Sequence, residues 1–312
     1  MLSSLRSFGG VFARGIATFG GNLHTWQYIY LIYGAATIAC GVIVVFLLPE
    51  GPATAWFLNA EERRIAVTRL DTASDPQAGE HRFEWRQAWE ALRSPMFLTL
   101  IVAGFFQSVT NAGVVNFNPI IINGFGYSPI VTTVLNIPQA SVALVTQVAL
   151  SYLAYKVKNI RSIIWAASAL PALAGAVMVH TIDYTKNRQA ALGGLYLMGF
   201  YNVAWVMMLS LSASNTAGRS KKAFVSSSMA VTYAVGNIVG PQFFIGSQSP
   251  HYPLGVGAML VSFCVVVALG IVYYGLVRRA QALKDRDHSS TGTPDTLEDK
   301  TDKSDPSFEY SF

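Results

Sequence analysis

Seven long apolar stretches, 26 to 48, 95 to 117, 130 to 155, 160 to 181, 189 to 213, 222 to 246 and 253 to 277, take up most of the chain, and every Asp, Glu, Lys and Arg between them falls in a connection or at an edge. About 20 consecutive apolar residues are enough for a helix to cross a bilayer. With no water there to satisfy backbone N–H and C=O groups, each stretch must close its own hydrogen bonds as a helix. The pattern predicts an all-α transmembrane protein with seven spans, that is, a multi-pass membrane protein whose first partner is the lipid bilayer.

Composition agrees: 52% of residues are hydrophobic and 12% charged, about half the charged fraction of a soluble domain. The net charge of +5 does not point to nucleic acid, because the basic residues sit in short connections and not on one patch with interleaved aromatics. They alternate along the chain. Arg63, Arg64, Arg69, Arg82, Arg86 and Arg93 follow the first stretch; Lys156, Lys158 and Arg161 follow the third; Arg219, Lys221 and Lys222 follow the fifth; Arg278, Arg279, Lys284 and Arg286 follow the last. The intervening connections carry only Lys186 and Arg188. By the positive-inside rule this places the 49–94 connection and the C-terminus in the cytosol.

The remaining segments are read from their punctuation. Residues 1–22 hold Arg6 and Arg14, no acid, and glycines at 9, 10, 15, 20 and 21. A leader or a mitochondrial presequence is one reading, but those glycines spoil an amphipathic helix; the preferred reading is the stump of a preceding transmembrane helix. The 49–94 connection predicts two helices. One is capped at Asn59 with Glu61 and Glu62 in its first turn; the other, Phe83 to Arg93, carries Phe83, Trp85, Trp89 and Leu92 as membrane-surface anchors. Residues 278–312 read as a cytosolic tail, disordered from about 288 because no apolar period is visible. Cys40 and Cys264 lie inside spans and predict packing roles, not a disulfide.

Candidate site residues are the uncharged polar groups inside spans, since a buried amide or phenol needs a partner or a polar cavity. Gln107 and Asn111 share one face of the second span with Asn118, and Tyr201 with Asn202 sits in mid-span. Tyr233 and Asn237 are four apart on the sixth. These six, Gln107, Asn111, Tyr201, Asn202, Tyr233 and Asn237, are the expected substrate-binding set. Gln139 and Gln147 read as structural, beside a kink at Pro138. Gly236 and Gly240 form a small-xxx-small pattern, which with Pro241 predicts close helix packing or bending. All 17 acids lie outside the spans, so a proton-coupling group is not expected within them. No metal-spaced His and Cys set, nucleophile with base, or paired carboxylate is visible, so an enzyme, a metal and a cofactor are not expected.

One long connection ahead of six spans is the layout of the second half of a major facilitator transporter. The runs Trp26-Gln27-Tyr28, Leu31-Ile32-Tyr33-Gly34, Phe46-Leu47-Leu48-Pro49, Phe57-Leu58-Asn59-Ala60-Glu61-Glu62-Arg63, Asn215-Thr216-Ala217-Gly218 and Gly236-Asn237-Ile238-Val239-Gly240-Pro241 carry a more specific likeness. The chain resembles the fungal allantoate permease family, in the anion:cation symporter branch of that superfamily. The resemblance implies that 23–48 is the last helix of the N-terminal half and 95–277 the six-helix C-terminal half, built as two inverted groups of three. Five preceding helices are then absent. It further implies proton-coupled import of a small organic anion or related nitrogenous or vitamin compound at the plasma membrane, and a partner in the missing N-terminal half or a full-length transporter. Alone, the chain is expected not to catalyse coupled uptake. Tyr155 stands where the superfamily often has an acid that latches one conformation, which puts ordinary gating in doubt. Two other readings are a regulatory, non-transporting half-transporter and a seven-helix receptor; the latter lacks an external disulfide pair and any long external connection.

Overall fold

A computed structural model describes residues 24–71, 83–127, 129–182, 186–249, 252–287, 300–305 and 308–312. Residues 1–22, read above as a helix stump, lie outside these. Among the described residues all regular structure is helical, and seven helices are long and apolar enough to cross a membrane. The chain divides into two compact units.

The smaller unit holds α1 (Thr25–Leu47), a 3-10 turn at Pro52–Thr54, and α2 (Ala60–Asp71). Most apolar side chains along α1 are exposed, among them Val45 and Phe46. The Trp56 indole donates to the Leu47 carbonyl, tying the turn to the end of α1. Asn59 precedes the first residue of α2 and engages the helix through its backbone. The Asn59 backbone N–H donates to the Glu62 carboxylate at 2.9 Å and the Arg63 N–H to the Asn59 carbonyl at 2.8 Å, while Glu61 and Glu62 face the positive end of the helix dipole.

The larger unit begins with α3 (Trp85–Leu92). One face buries Gln87, Ala88 and Ala91; the other exposes Trp85, Trp89 and Leu92, with the Arg93 guanidinium over the Trp89 ring. The helix is amphipathic, as the sequence predicts. Six spans follow: α4 (Pro95–Gly124), α5 (Pro129–Lys156), α6 (Arg161–Thr181), α7 (Arg188–Leu197) running through a 3-10 turn at Met198–Phe200 into α8 (Tyr201–Ser214), α9 (Arg219–Val239) and α10 (Pro253–Asp287). Pro95 opens α4, where its missing N–H costs nothing.

The principal packed pairs are α4 with α9 and α10, the α7–α8 span with α5 and α6, and α6 with α10. Exchanging the first three spans with the second three, in order, maps α4/α9 onto the α7–α8/α5 pair and α4/α10 onto the α7–α8/α6 pair. The packing has the internal correspondence that two groups of three demand. One buried cluster gathers Trp165, Met207, Met208, Leu211 and Tyr273; another gathers Ile122, Leu195, Met198, Met259 and Phe263.

The C-terminus departs from expectation. Residues 288–299 lie outside the described set, but 300–305 and 308–312 form a packed strap across the end of the bundle that carries Lys156, Arg161, Arg219 and Arg278, here termed the basic end. Asp302 pairs with Lys221, whose ammonium also bonds Glu90 of α3 at 2.9 Å. The Tyr310 hydroxyl donates to the Asp302 carboxylate at 3.1 Å. The Lys284 ammonium is bound by the carbonyls of Asp302, Asp305 and Phe308 and lies over the Phe308 and Tyr310 rings. Asn215 donates to the Ser311 carbonyl and accepts from its N–H, and the Phe312 carbonyl accepts from the Arg161 N–H. The sequence reads these residues as part of a disordered tail; in the structure Tyr310 is buried and Phe308 and Phe312 pack against the core, an alternating apolar signal too short to stand out against the polar composition around it.

Candidate functional site: a polar, uncharged cavity between helices

Small residues bring α4 and α9 together. A methyl added at Gly236 would come within 2.5 Å of the Ser108 Cβ, and one at Gly240 within 2.6 Å of the Ala112 Cβ. No larger residue fits at this separation. Asn111 lies between Ser108 and Ala112 in sequence, and Asn237 between the glycines. The close approach therefore sets the two amides against each other: the Asn111 side-chain nitrogen donates to the Asn237 side-chain oxygen at 2.8 Å and to the Tyr233 hydroxyl at 3.3 Å. Pro241 follows in a 3-10 turn, Gly240–Phe243, that closes α9.

From the other side, the Tyr201 hydroxyl donates to the Asn111 side-chain oxygen at 3.0 Å, and the Gln107 amide donates to the Tyr201 carbonyl at 2.6 Å. The Asn237 amide donates in turn to the Tyr233 carbonyl. Asn111 is the junction of a network spanning α4, α8 and α9. Each bond is modest in isolation, about 0.6 kcal/mol on average between membrane helices, but together they fix the helices' register.

The network borders a cavity of about 590 Å³. Gln107, Asn111, Tyr201, Asn202 and Tyr233 all line it, so five of the six predicted residues meet there; Asn237 reaches it through Asn111. The Gln107 side-chain oxygen is buried with no partner among the described residues. Asn202 lines the cavity and makes no hydrogen bond among the described residues. Val115, Val206, Leu209 and Met229 supply apolar wall. Among the described residues no Asp, Glu, Lys, Arg or His lines the cavity. Among the described residues no group of three His, Cys, Asp or Glu side chains is placed to hold a metal.

Asn118, which sequence spacing places on the same face as Gln107 and Asn111, lies elsewhere. It is buried, its amide has no partner among the described residues, and it is not among the residues that line the cavity. Gln147, read as structural, does line the cavity. Trp205 was not singled out by sequence, yet its ring lies 5.3 Å from that of Tyr233 on the cavity wall. A single Trp in the apolar run of α8 is indistinguishable from core; its position four residues after Tyr201, on the same helix face, was the available signal. Ser108 and Ser226 complete the polar lining.

Long apolar helices with a polar cavity among them define a multi-pass membrane protein. The chain belongs to the Major Facilitator Superfamily, whose family model matches residues 1–241; this is a family of transporters and not of enzymes. It is 33% identical over 309 residues to an MFS-type transporter of Penicillium expansum, covering 96% of this chain and 62% of that protein. An uncharacterised transporter of Schizosaccharomyces pombe is 31% identical over 310 residues, 97% of this chain and 58% of the relative. The allantoate permease of Saccharomyces cerevisiae is 29% identical over 298 residues, 92% and 55% respectively. The chain thus spans less than two thirds of the length of these relatives.

Proposed function

We propose that the chain supplies one side of a solute path through a membrane, and that the solute is a small organic anion or a related nitrogenous or vitamin compound moved by alternating access. The observation that carries this reading is the cavity bordered by Asn111, Tyr201 and Tyr233, residues that also hydrogen-bond α4, α8 and α9 to one another. Amides and phenols can hold a carboxylate or a heterocycle by hydrogen bonds, while the apolar wall accepts the carbon frame. The 29% identity to an allantoate permease supports placing the chain in that branch of the superfamily.

The cavity has no charged lining group among the described residues, so binding here selects by hydrogen-bond pattern and shape. The proton-coupling group and the cation that would meet an anionic solute belong to residues outside the six spans of the larger unit, whether in a further half or in a full-length transporter partner. In the proposed orientation the basic end and the C-terminus face the cytosol, in the plasma membrane.

The test is flux. The chain, with and without a co-expressed N-terminal half from the allantoate permease, is reconstituted in proteoliposomes and assayed for uptake of labelled allantoate under an inward proton gradient. Saturable uptake that requires the added half and falls at least tenfold in Asn111→Leu supports the proposal. Failure of the Asn111→Leu change to alter saturable uptake would remove the cavity from the path.

A further inference from the structure

A second cavity, of about 400 Å³, opens at the basic end between the first turn of α4, the last turns of α10 and the strap. Its walls are of two kinds. Met96, Leu276 and Leu283 present apolar side chains, and Arg279 and Lys303 present cations. Both cations are exposed, and neither takes part in any hydrogen bond or ion pair among the described residues.

The other charges at the cavity are already engaged. The Asp302 carboxylate is shared by Lys221 and Tyr310, and the Lys284 ammonium is spent on three strap carbonyls. What remains is a positive cavity with an apolar flank. Leu276 belongs to the apolar stretch of α10 and Arg279 follows it within one turn, so the cavity sits where the span leaves the hydrocarbon.

A free anion would use the cations and ignore the apolar wall. An amphiphile uses both: its phosphate meets Arg279 and Lys303, and its chains run down past Leu276 and Met96. Arginine's planar fork suits phosphate oxygens, and basic pockets beside transmembrane helices collect anionic headgroups. We infer that this cavity is a binding site for the headgroup of an anionic phospholipid, built jointly by α10 and the docked strap. Because Lys303 comes from the strap, the bound lipid also holds the strap in place.

Native mass spectrometry of the purified whole chain, titrated with phosphatidylserine or with phosphatidylcholine, reads the site directly. The expected result is retention of one phosphatidylserine at least fivefold above phosphatidylcholine. That preference should disappear in Arg279→Ala/Lys303→Ala but persist in Lys222→Ala, a change to an exposed cation elsewhere at this end. Both replaced side chains are exposed and unpaired, so the fold should survive, and an unchanged circular dichroism melt checks it. Millimolar inorganic phosphate should leave the lipid adduct intact. Equal retention of the two lipids, indifference to the double substitution, or displacement by inorganic phosphate would each overturn the assignment, the last in favour of a free-anion site.

Discussion

Asn111 and Asn237 sit on different spans with their side-chain amides 2.8 Å apart, a distance set by the glycines on either side of Asn237. The same contact joins the packing of α4 on α9 to the wall of the cavity. Helix geometry and binding chemistry are coupled at this point.

Loss of the amide pair should therefore weaken both. Asn237→Leu leaves Asn111 with an unmet donor direction at a half-buried site, and a destabilisation of about 1 kcal/mol is expected. A double-mutant cycle with Asn111→Leu, read from thermal unfolding in detergent, should show coupling between the two changes. Strict additivity would mean that the bond contributes nothing.

The glycines predict a steric effect of opposite character. Gly236→Val forces a side chain onto Ser108 Cβ and the Phe105 carbonyl, and overpacking of about 1–3 kcal/mol is expected. Ser108→Gly in the same chain should recover part of the loss, since the Phe105 carbonyl still obstructs. Thermal shifts of Gly236→Val, Ser108→Gly and the pair measure this.

How far the sequence leads depends on which interactions are local. Spans, caps and the amphipathic α3 follow from apolar length, the Asn59 cap with its Glu62 partner, and the spacing of Trp85 and Trp89, all read within a few residues. Gln107, Asn111, Tyr201, Asn202 and Tyr233 could be chosen because a polar residue in mid-span has few explanations. Trp205 and Gln147 were not assigned to the cavity, and Asn118 was grouped with residues it does not join, because which neighbouring span a face meets is a long-range fact. The strap was missed for the same reason: Lys221 and Asp302 are 81 residues apart, and nothing in either neighbourhood marks the pair.

That pair makes a graded prediction. Lys221 is buried against two carboxylates, so Lys221→Met leaves Asp302 buried without its cation and should cost on the order of 3–5 kcal/mol. Asp302→Asn keeps the Glu90 partner and should cost less. Limited proteolysis of the strap should rank the variants Lys221→Met, then Asp302→Asn, then unaltered chain, from most to least sensitive; equal sensitivity would contradict the strap's dependence on Lys221.

Trp205 and Tyr233 form an aromatic corner on the cavity wall. If heterocyclic solutes use it, Trp205→Ala should weaken their binding tenfold or more, while Trp205→Phe retains most of it. Isothermal titration with a heteroaromatic and an aliphatic carboxylate of equal charge should show the larger loss for the aromatic one.

The central claim is that the cavity receives the solute, and substrate protection tests it most directly. Cys40 and Cys264 are replaced by Ala, and a cysteine is placed either at Asn202 in the cavity or at Val148, an exposed position on α5 outside the cavity lining. Maleimide labelling of each is then followed with and without saturating allantoate and related carboxylates. The account predicts that at least one such solute slows labelling at Asn202→Cys several-fold in a saturable manner and leaves Val148→Cys unchanged. Labelling at Asn202→Cys that is indifferent to every solute, or protection equal at both positions, would contradict it.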